Sequence, residues 1–131
     1  MSQQLGLVTL VVRAYDEAVE YYVGCLGFKL IQNTLLGNGK RWVVVRPVGA
    51  GHAGLLLAKA ANAEQEASIG NQTAGRVAFF LHTDDFERDY RAYQSRGVKF
   101  LEQPREENYG TVAVFVDLYG NKWDLIQPKA H

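Results

Sequence analysis

Cysteine is almost absent from this chain, since Cys25 is the one thiol among 131 residues. A single thiol cannot form an internal disulfide, which favours a reducing compartment. No apolar run approaches the roughly 20 residues that cross a bilayer, and the N-terminus lacks a basic segment followed by an apolar one. These absences predict a soluble, unexported protein of the cytoplasm, with no membrane among its partners.

An excess of charge is missing as well, because 14 basic residues balance 14 acidic residues. Neither sign forms a long block, so the broad basic surface typical of nucleic-acid-binding proteins is absent. We therefore expect no nucleic-acid partner. The length suits one compact domain, residues 1–131, with a core of its own.

Familiar catalytic motifs are lacking too. The sequence has no Ser-His-Asp order, no glycine-rich phosphate loop and no zinc-type cluster of cysteine and histidine. His52 lies in a glycine-rich turn and His131 is the last residue, and we predict that solvent surrounds both. His82, at the end of a predicted strand, is a candidate acid or base.

The chain does contain a half-length repeat. Residues 76–86 pass from a strand pattern into a helix pattern, as the N-terminal segment does. Gly27 and Lys29 of the first copy recur as Gly97 and Lys99 of the second. Such a repeat indicates duplication of one supersecondary unit, and a cavity between related halves is the first place to look for function.

Hydrophobic periodicity divides each half into a strand, a helix and three further strands. The predicted strands are 5–12, 28–34, 41–46, 53–58, 76–82, 98–102, 110–117 and 122–127, with one helix ending at Gly27 and another over 85–96. A connecting helix over 62–69 begins with a capping box of Asn62 and Gln65. These patterns predict an α+β fold of two βαβββ modules, about 5–60 and 75–128, whose curved mixed sheets surround a cup-shaped cavity.

Alternation along the strands predicts which side chains point away from the helices. In the strand over 110–117, the valines at alternate positions form an aliphatic face suited to a helix, which leaves Phe115 on the other face. The same alternation turns the following side chains away from the helices: Trp42, Arg46, Arg76, Phe80, His82 and Asp124. This mixture of aromatic and charged residues is more typical of a ligand cavity than of a dry core.

Three short motifs accompany the paired βαβββ order. They are Leu26-Gly27-Phe28 after the first helix, Asp84-Asp85 before the second, and Gly120-Asn121-Lys122-Trp123-Asp124-Leu125 at the end. In this order and spacing they resemble the vicinal oxygen chelate superfamily, which includes glyoxalase I, extradiol dioxygenases, fosfomycin-modifying enzymes and bleomycin-binding proteins. The resemblance covers nearly the whole chain, and it implies a homodimer.

The metal enzymes of that superfamily take one ligand from the first and last strand of each half. By this resemblance the four positions fall on Leu7, within Leu55–Leu57, on Ala78 or Val77, and on Asp124. One carboxylate does not make a catalytic metal site. We therefore predict no cofactor, and we keep a divalent metal as the alternative.

Arg76 and Asp124 are expected on neighbouring strands and on the same face. We predict an ion pair between them, because pairing offsets part of the cost of burying either charge. The pair is either a structural plug in the vacant metal position, or an anchor in which Arg76 grips an anion while Asp124 orients it.

The predicted function is the binding of a small organic molecule, anionic or aromatic, without a catalytic metal. The predicted ligand-binding residues are Arg76, Asp124, Trp42, Arg46, Phe80, Phe115 and Tyr109, the last in a loop over 103–110 that could form a rim. The enzymatic alternatives are a glyoxalase-like metal-dependent lyase or dioxygenase, and a metal-free isomerase that uses His82 or Asp124. For catalysis, the candidates are His82, Asp124 and Glu107.

Overall fold

The computed structural model describes residues 1–49 and 53–129, so His52 and His131 lie outside the described residues. The chain divides into two compact units, residues 1–69 and residues from 70 onwards. Across the described ranges, no helix is both long and apolar enough to span a membrane.

The first unit contains four strands and two short helices. Their bounds are β1 (Leu7–Val12), α1 (Tyr15–Val19), β2 (Lys29–Gly37), β3 (Lys40–Arg46), β4 (Gly54–Lys59) and α2 (Ala63–Ser68), with a π-helical segment, Glu20–Cys25, directly after α1. The sheet has the order β1-β4-β3-β2, in which β1 runs parallel to β4 and the other pairs are antiparallel. The parallel pair requires a crossover, and α1 supplies it.

The second unit repeats this plan with one strand more. Its bounds are β5 (Val77–His82), α3 (Phe86–Ser95), β6 (Lys99–Phe100), β7 (Arg105–Glu107), β8 (Gly110–Val116) and β9 (Lys122–Pro128). The strand order is β5-β9-β8-β6, with β5 parallel to β9 and with β7 also paired to β8. The predicted α+β class with two βαβββ modules is thus confirmed. The cup-shaped cavity stays a prediction.

Local signals account for where the helices begin and end. The Asn62 side chain accepts a hydrogen bond from the Gln65 backbone N–H at 2.9 Å, so the predicted capping box starts α2. Asp85 caps α3 in the same way through the Arg88 N–H at 3.1 Å. Beyond the π-helical segment, Gly27 has a φ of 73°, which ends the helix where the sequence predicts.

The helices α1 and α3 each cover one face of their own sheet. In the first unit the core contains Leu10, Tyr22, Val43 and Leu57, all fully buried. In the second unit it is largely aromatic, and the list of its ring contacts runs Phe79 with Trp123 at 4.5 Å, Trp123 with Phe115 at 5.9 Å, and Phe115 with Tyr93 of α3 at 5.5 Å. These rings provide large apolar areas, and their tilted and edge contacts add to the stability of the sheet against α3.

The predicted loop over 103–110 is partly a strand. Arg105, Glu106 and Glu107 pair with β8 opposite Val112, Thr111 and Gly110, and so form a hairpin of their own. The predicted strand 98–102 is shortened to Lys99–Phe100. Pro104 explains the interruption between β6 and β7, because proline has no N–H to donate to β8.

Gly110 should be the least replaceable residue of that hairpin. It has a φ of 152°, and a Cβ added there would collide with the backbone carbonyl of Gln127. We expect Gly110→Ala to lower the free energy of unfolding by about 3 kcal/mol, from strain and overpacking together. The control is Gly24→Ala, because no atom lies within 4 Å of a Cβ at Gly24. Urea titrations of both variants measure the difference, and equal stabilities would contradict the assignment.

Candidate functional site

The second sheet has a face opposite α3, which we call the open face of the second unit. Across β5, β9 and β8, the cross-strand partners Phe80, Asp124 and Val114 form one row. Partners in a row share a face, and the neighbouring row with Trp123 and Phe115 is the one that packs on α3. Phe80, Asp124 and Val114 therefore belong to the open face.

Phe115 does not lie where the alternation predicted. Its ring is fully buried and packs against Tyr93 of α3, so Phe115 belongs to the helix side of the sheet and cannot line an open-face site. The physical reason is that both faces of β8 are covered at its centre, since Val112 and Ala113 are each fully buried. A strand buried on both sides shows no apolar alternation from which a face could be read.

Asp124 is the most unusual side chain of the open face. Asp124 is only 8% exposed, and its buried Oδ1 atom has no hydrogen-bond partner among the described residues. Burial raises the pKa of this carboxyl above its ordinary value, while the charge of Arg105 acts to lower it and that of Glu102 to raise it. Buried acceptors are nearly always paired in native proteins, so an orphan of this kind calls for a functional explanation.

The turn between β8 and β9 holds Asp124 in place. Asp117, itself buried, accepts hydrogen bonds through Oδ1 from the backbone N–H groups of Tyr119 and Asn121, each at 2.9 Å. Its Oδ2 accepts from Asn121 Nδ2, also at 2.9 Å. The Gly120-Asn121 motif of the sequence is therefore a structural clamp that sets where β9 begins, and with it the face on which Asp124 lies.

Glu102 and Arg105 are the charged groups that act on Asp124, and neither was predicted as a site residue from the sequence. Glu102 Oε2 accepts from the Val114 backbone N–H at 3.1 Å and from Arg105 Nε at 2.9 Å. The carboxylate thus replaces the backbone acceptor that β8 loses where β6 stops. Pro104 is the sequence feature that could have identified these residues. It interrupts a strand, so a backbone N–H of the neighbouring strand lacks an acceptor, and a nearby acidic side chain can accept from it.

Arg105 connects two of the predicted residues to this cluster. Its Nη1 lies 3.6 Å from Glu107 Oε2, and its guanidinium hydrogen-bonds the side chain of Tyr109. The contacts with Glu102 and Tyr109 raise the pKa of Arg105, which stays a cation. The structure therefore brings Glu107 and Tyr109 together around Arg105, beside Asp124.

The predicted ion pair between Arg76 and Asp124 is wrong. Arg76 is exposed, and within the described residues no salt bridge joins it to Asp124. The cause is a bulge in β5, where Val77 pairs with Lys122 and Phe79 already pairs with Trp123. The extra residue breaks the alternation between Arg76 and Phe80 on which the prediction depended.

His82 lies one step further along the open face than Asp124. It is exposed and pairs with Ile126 of β9, two residues beyond the Phe80–Asp124 pair. Among the hydrogen bonds of the described residues, none joins His82 to Asp124 or to Glu107. Of the three catalytic candidates, the structure thus groups Asp124 with Glu107 through Arg105 and leaves His82 apart.

The first unit has an open face of its own, opposite α1. Arg41 Nη1 lies 2.8 Å from Asp16 Oδ1 of α1, and the Arg41 guanidinium lies over the Tyr15 ring, so the odd-numbered residues of β3 face α1 and Trp42, Val44 and Arg46 face away. This agrees with the predicted alternation. The Trp42 indole N–H donates to Gln32 Oε1 at 3.0 Å, whereas Arg46 Nε is buried without a partner.

The chain belongs to the Glyoxalase/Bleomycin resistance protein/Dioxygenase superfamily, whose family model matches residues 4–125. An uncharacterized protein of Shewanella frigidimarina is 54% identical over 97% of this chain and 95% of its own length. The crystal structure of UcmS2 has a TM-score of 0.82 at 29% identity, covering 96% of this chain and 98% of that one. That of TnmS3, an antibiotic-binding protein from Streptomyces sp. CB03234, has a TM-score of 0.74 at 28% identity, covering 98% of both chains.

The residues present do not fit the metal centre of the superfamily's metal enzymes. In residues 1–49 and 53–129, no group of three or more His, Cys, Asp or Glu side chains could hold a metal ion. Leu7 lies beside Gly54 in the sheet, and the row of Asp124 continues into Phe80 and Val114, which offer no donor atoms in their side chains. Asp124 is thus the one carboxylate of its row, and a single carboxylate is a poor ligand set for a divalent ion.

In its charged form, the Asp124 carboxylate should lower the free energy of unfolding. Because its pKa is raised in the folded state, stability falls as pH rises from the ordinary value of 3.8 through the raised pKa, and the full cost is present above that window. Asp124→Asn removes this titration, and we expect it to stabilise the protein at neutral pH by about 1 kcal/mol. Glu102 and Arg105, the charged groups that act on Asp124, are unchanged in the variant.

Urea denaturation of both proteins across the acid range measures this effect. The stability advantage of Asp124→Asn should shrink as the pH falls toward about 4. In that range the Asp124 carboxyl of the parent becomes protonated, first in the folded state and then in the unfolded state. A variant that is less stable than the parent at neutral pH would show instead that the carboxylate of Asp124 stabilises the sheet.

Proposed function

We propose that this protein binds a small planar or aromatic organic molecule on the open faces of its sheets, without a catalytic metal. The observation that carries the proposal is the row Phe80–Asp124–Val114. Phe80 is 61% exposed next to a buried carboxylate oxygen that has no partner. An exposed aromatic ring beside an unsatisfied polar atom is the composition of a ligand site, where apolar walls give affinity and a few polar groups give orientation.

The first unit supports the same proposal. Trp42 is 37% exposed, and its bond to Gln32 holds the indole ring in one orientation. Four residues along β3, Arg46 offers a buried Nε donor that has no partner within residues 1–49 and 53–129. A fixed aromatic wall next to an available donor suits a planar ligand with polar substituents.

The relatives point to the same class of ligand. TnmS3, at 28% identity over nearly the whole chain, is an antibiotic-binding protein. Antibiotics bound by proteins are small organic molecules with large apolar surfaces, which need concave apolar walls more than reactive groups. We infer that this chain shares that mode of action rather than the metal-dependent chemistry of the superfamily's enzymes, to which its residues do not fit.

One observation favours the enzymatic alternative of a metal-free isomerase. A carboxyl group with a raised pKa is closer to the pKa that a general acid or base needs at neutral pH. Such a base also needs a donor that stabilises the charge developing on the substrate, and His82 forms no hydrogen bond with Asp124 among the described residues. Binding without turnover is therefore the function that we prefer.

We also propose that the protein forms a homodimer, and we place it in the cytoplasm, in agreement with its single cysteine. The edge strand β2 supports a dimer, because all of its nine residues are exposed. Its exposed apolar side chains are Leu30, Ile31, Leu35 and Leu36. A long apolar edge strand is normally protected, and a second copy of the chain would protect this one.

A thermal-shift screen of aromatic and ionic metabolites tests the binding function. We expect at least one aromatic compound to raise the melting temperature saturably, following RT ln(1 + [L]/Kd), and to be recovered unchanged. Prior treatment with a chelator should leave this shift intact. Loss of the shift on chelation, or conversion of the compound, would favour the metal-dependent or the isomerase alternative respectively.

Sedimentation velocity of the double variant Leu35→Lys/Leu36→Lys tests the dimer. Lysines on an edge strand oppose pairing with another strand, so we expect a dimeric parent and a monomeric variant. Leu118→Lys is the matched control, because Leu118 is also an exposed leucine but lies in the second unit. A monomeric parent, or a dimer that survives both lysines, would remove β2 from the interface.

A further inference from the structure

We infer that the ligand carries a cationic nitrogen donor, an amine or amidine next to a planar ring, and that Asp124 Oδ1 accepts from it while the ring packs on Phe80. This inference rests on the proposed function and specifies its ligand. From the sequence alone, one expectation was an anionic ligand held by Arg76. A cationic ligand at Asp124 replaces that expectation.

The first step is that Asp124 has an acceptor to offer. Its Oδ1 is buried and receives no hydrogen bond, although the residue is more than nine-tenths buried. An unpaired buried acceptor is costly, and a donor that arrives with a ligand recovers that cost on binding. The site is thus prepared for a donor and not for another acceptor.

The second step is that the nearby positive charge is already engaged. Arg105 Nε lies 2.9 Å from Glu102 Oε2, and Arg105 Nη1 lies 3.6 Å from Glu107 Oε2. Tyr109 accepts a further bond from the same guanidinium. Arg105 acts on Asp124 only through its longer-range field, and Glu102 opposes that field. Within the part of the chain that the structure describes, Asp124 therefore has no counter-ion in direct contact.

The third step is that the local charge is negative. The carboxylates of Glu102 and Glu107 pair with the guanidinium of Arg105, and Asp124 adds a third carboxylate on which Arg105 acts only through its charge. An anion brought to Asp124 would meet a carboxylate and gain no donor from the side chains in its row, Phe80 and Val114. A cation gains both a charge-assisted hydrogen bond and a favourable field.

The fourth step concerns the shape of the ligand. Phe80 is the direct cross-strand neighbour of Asp124 and is mostly exposed, so its ring can pack against a flat group attached to the donor. Val114 extends the same row on the other side with an aliphatic surface. A short distance between the cationic nitrogen and the ring is therefore preferred over a long flexible spacer.

Three small probes with one ring and different end groups test the inference: benzamidine, benzamide and benzoate. Binding is followed by NMR titration of the protein, with the backbone amides of Phe80, Val114 and Asp124 as reporters. We expect saturable shifts of these amides with benzamidine, weaker binding of benzamide, and no saturable response to benzoate. In Asp124→Asn, the affinity for benzamidine should fall about tenfold or more, since a hydrogen bond to a charged group is lost.

Two further variants make the result specific. Glu106→Gln removes a carboxylate whose cross-strand partner, Thr111, is in phase with Ala113 and Phe115 on the helix side of β8, so this variant should bind benzamidine as the parent does. Phe80→Ala should weaken benzamide and benzamidine alike, because it removes the surface on which the common ring packs. Native amide spectra of each variant show that it is folded.

The inference is overturned if benzoate binds as tightly as benzamidine, if Asp124→Asn binds benzamidine with unchanged affinity, or if benzamidine gives no saturable shift. Binding of benzoate or benzamide at the reporter amides without benzamidine would leave the proposed function intact and remove only the cationic donor. Failure of all three probes together with every compound of the thermal-shift screen would remove the proposed function as well.

Discussion

The register between β8 and β9 is the constraint on which the second unit depends. Because side chains alternate along a strand, a slip of one residue would exchange the faces of Trp123 and Asp124. Two interactions prevent the slip: Asp117 clamps the connecting turn through Asn121, and the Trp123 ring stacks on Phe115 at 5.9 Å. The same register therefore builds the aromatic core on one face and places Asp124 on the other, beside the exposed ring of Phe80.

That arrangement explains how the sheet accommodates a charge that weakens it. The aromatic residues on the helix side bury large areas, and this stabilisation offsets the cost of an unpaired carboxyl on the opposite side. Residues that lower stability and lack a structural partner are found most often where a protein binds or reacts. Asp124 fits this description, whereas Asp117, equally buried, has partners for both of its oxygens.

The sequence predicted the secondary-structure elements well. It predicted the side of the sheet on which a side chain lies correctly for some residues and wrongly for others. The βαβββ order, the capping box at Asn62 and the end of the first helix at Gly27 follow from short-range signals, namely periodicity, side-chain caps and positive φ. Phe115 and Arg76 were misplaced because alternation assumes an unbroken strand with one buried face. β8 is buried on both faces, and β5 contains a bulge.

Local patterns in the chain were thus enough to predict its class of fold, its turns and Asp124 as a candidate site residue. Each of these depends on residues that are close together in sequence. The partners of Asp124 could not be read in this way. The charges of Glu102 and Arg105 act on it because Pro104 interrupts a strand and the Val114 N–H then bonds a carboxylate, which is a consequence of strand pairing between distant segments. Pairing between distant segments decides which charged groups lie near one another. Here it pairs Arg105 with Glu102 and leaves Asp124 Oδ1 without a hydrogen-bond partner among the described residues.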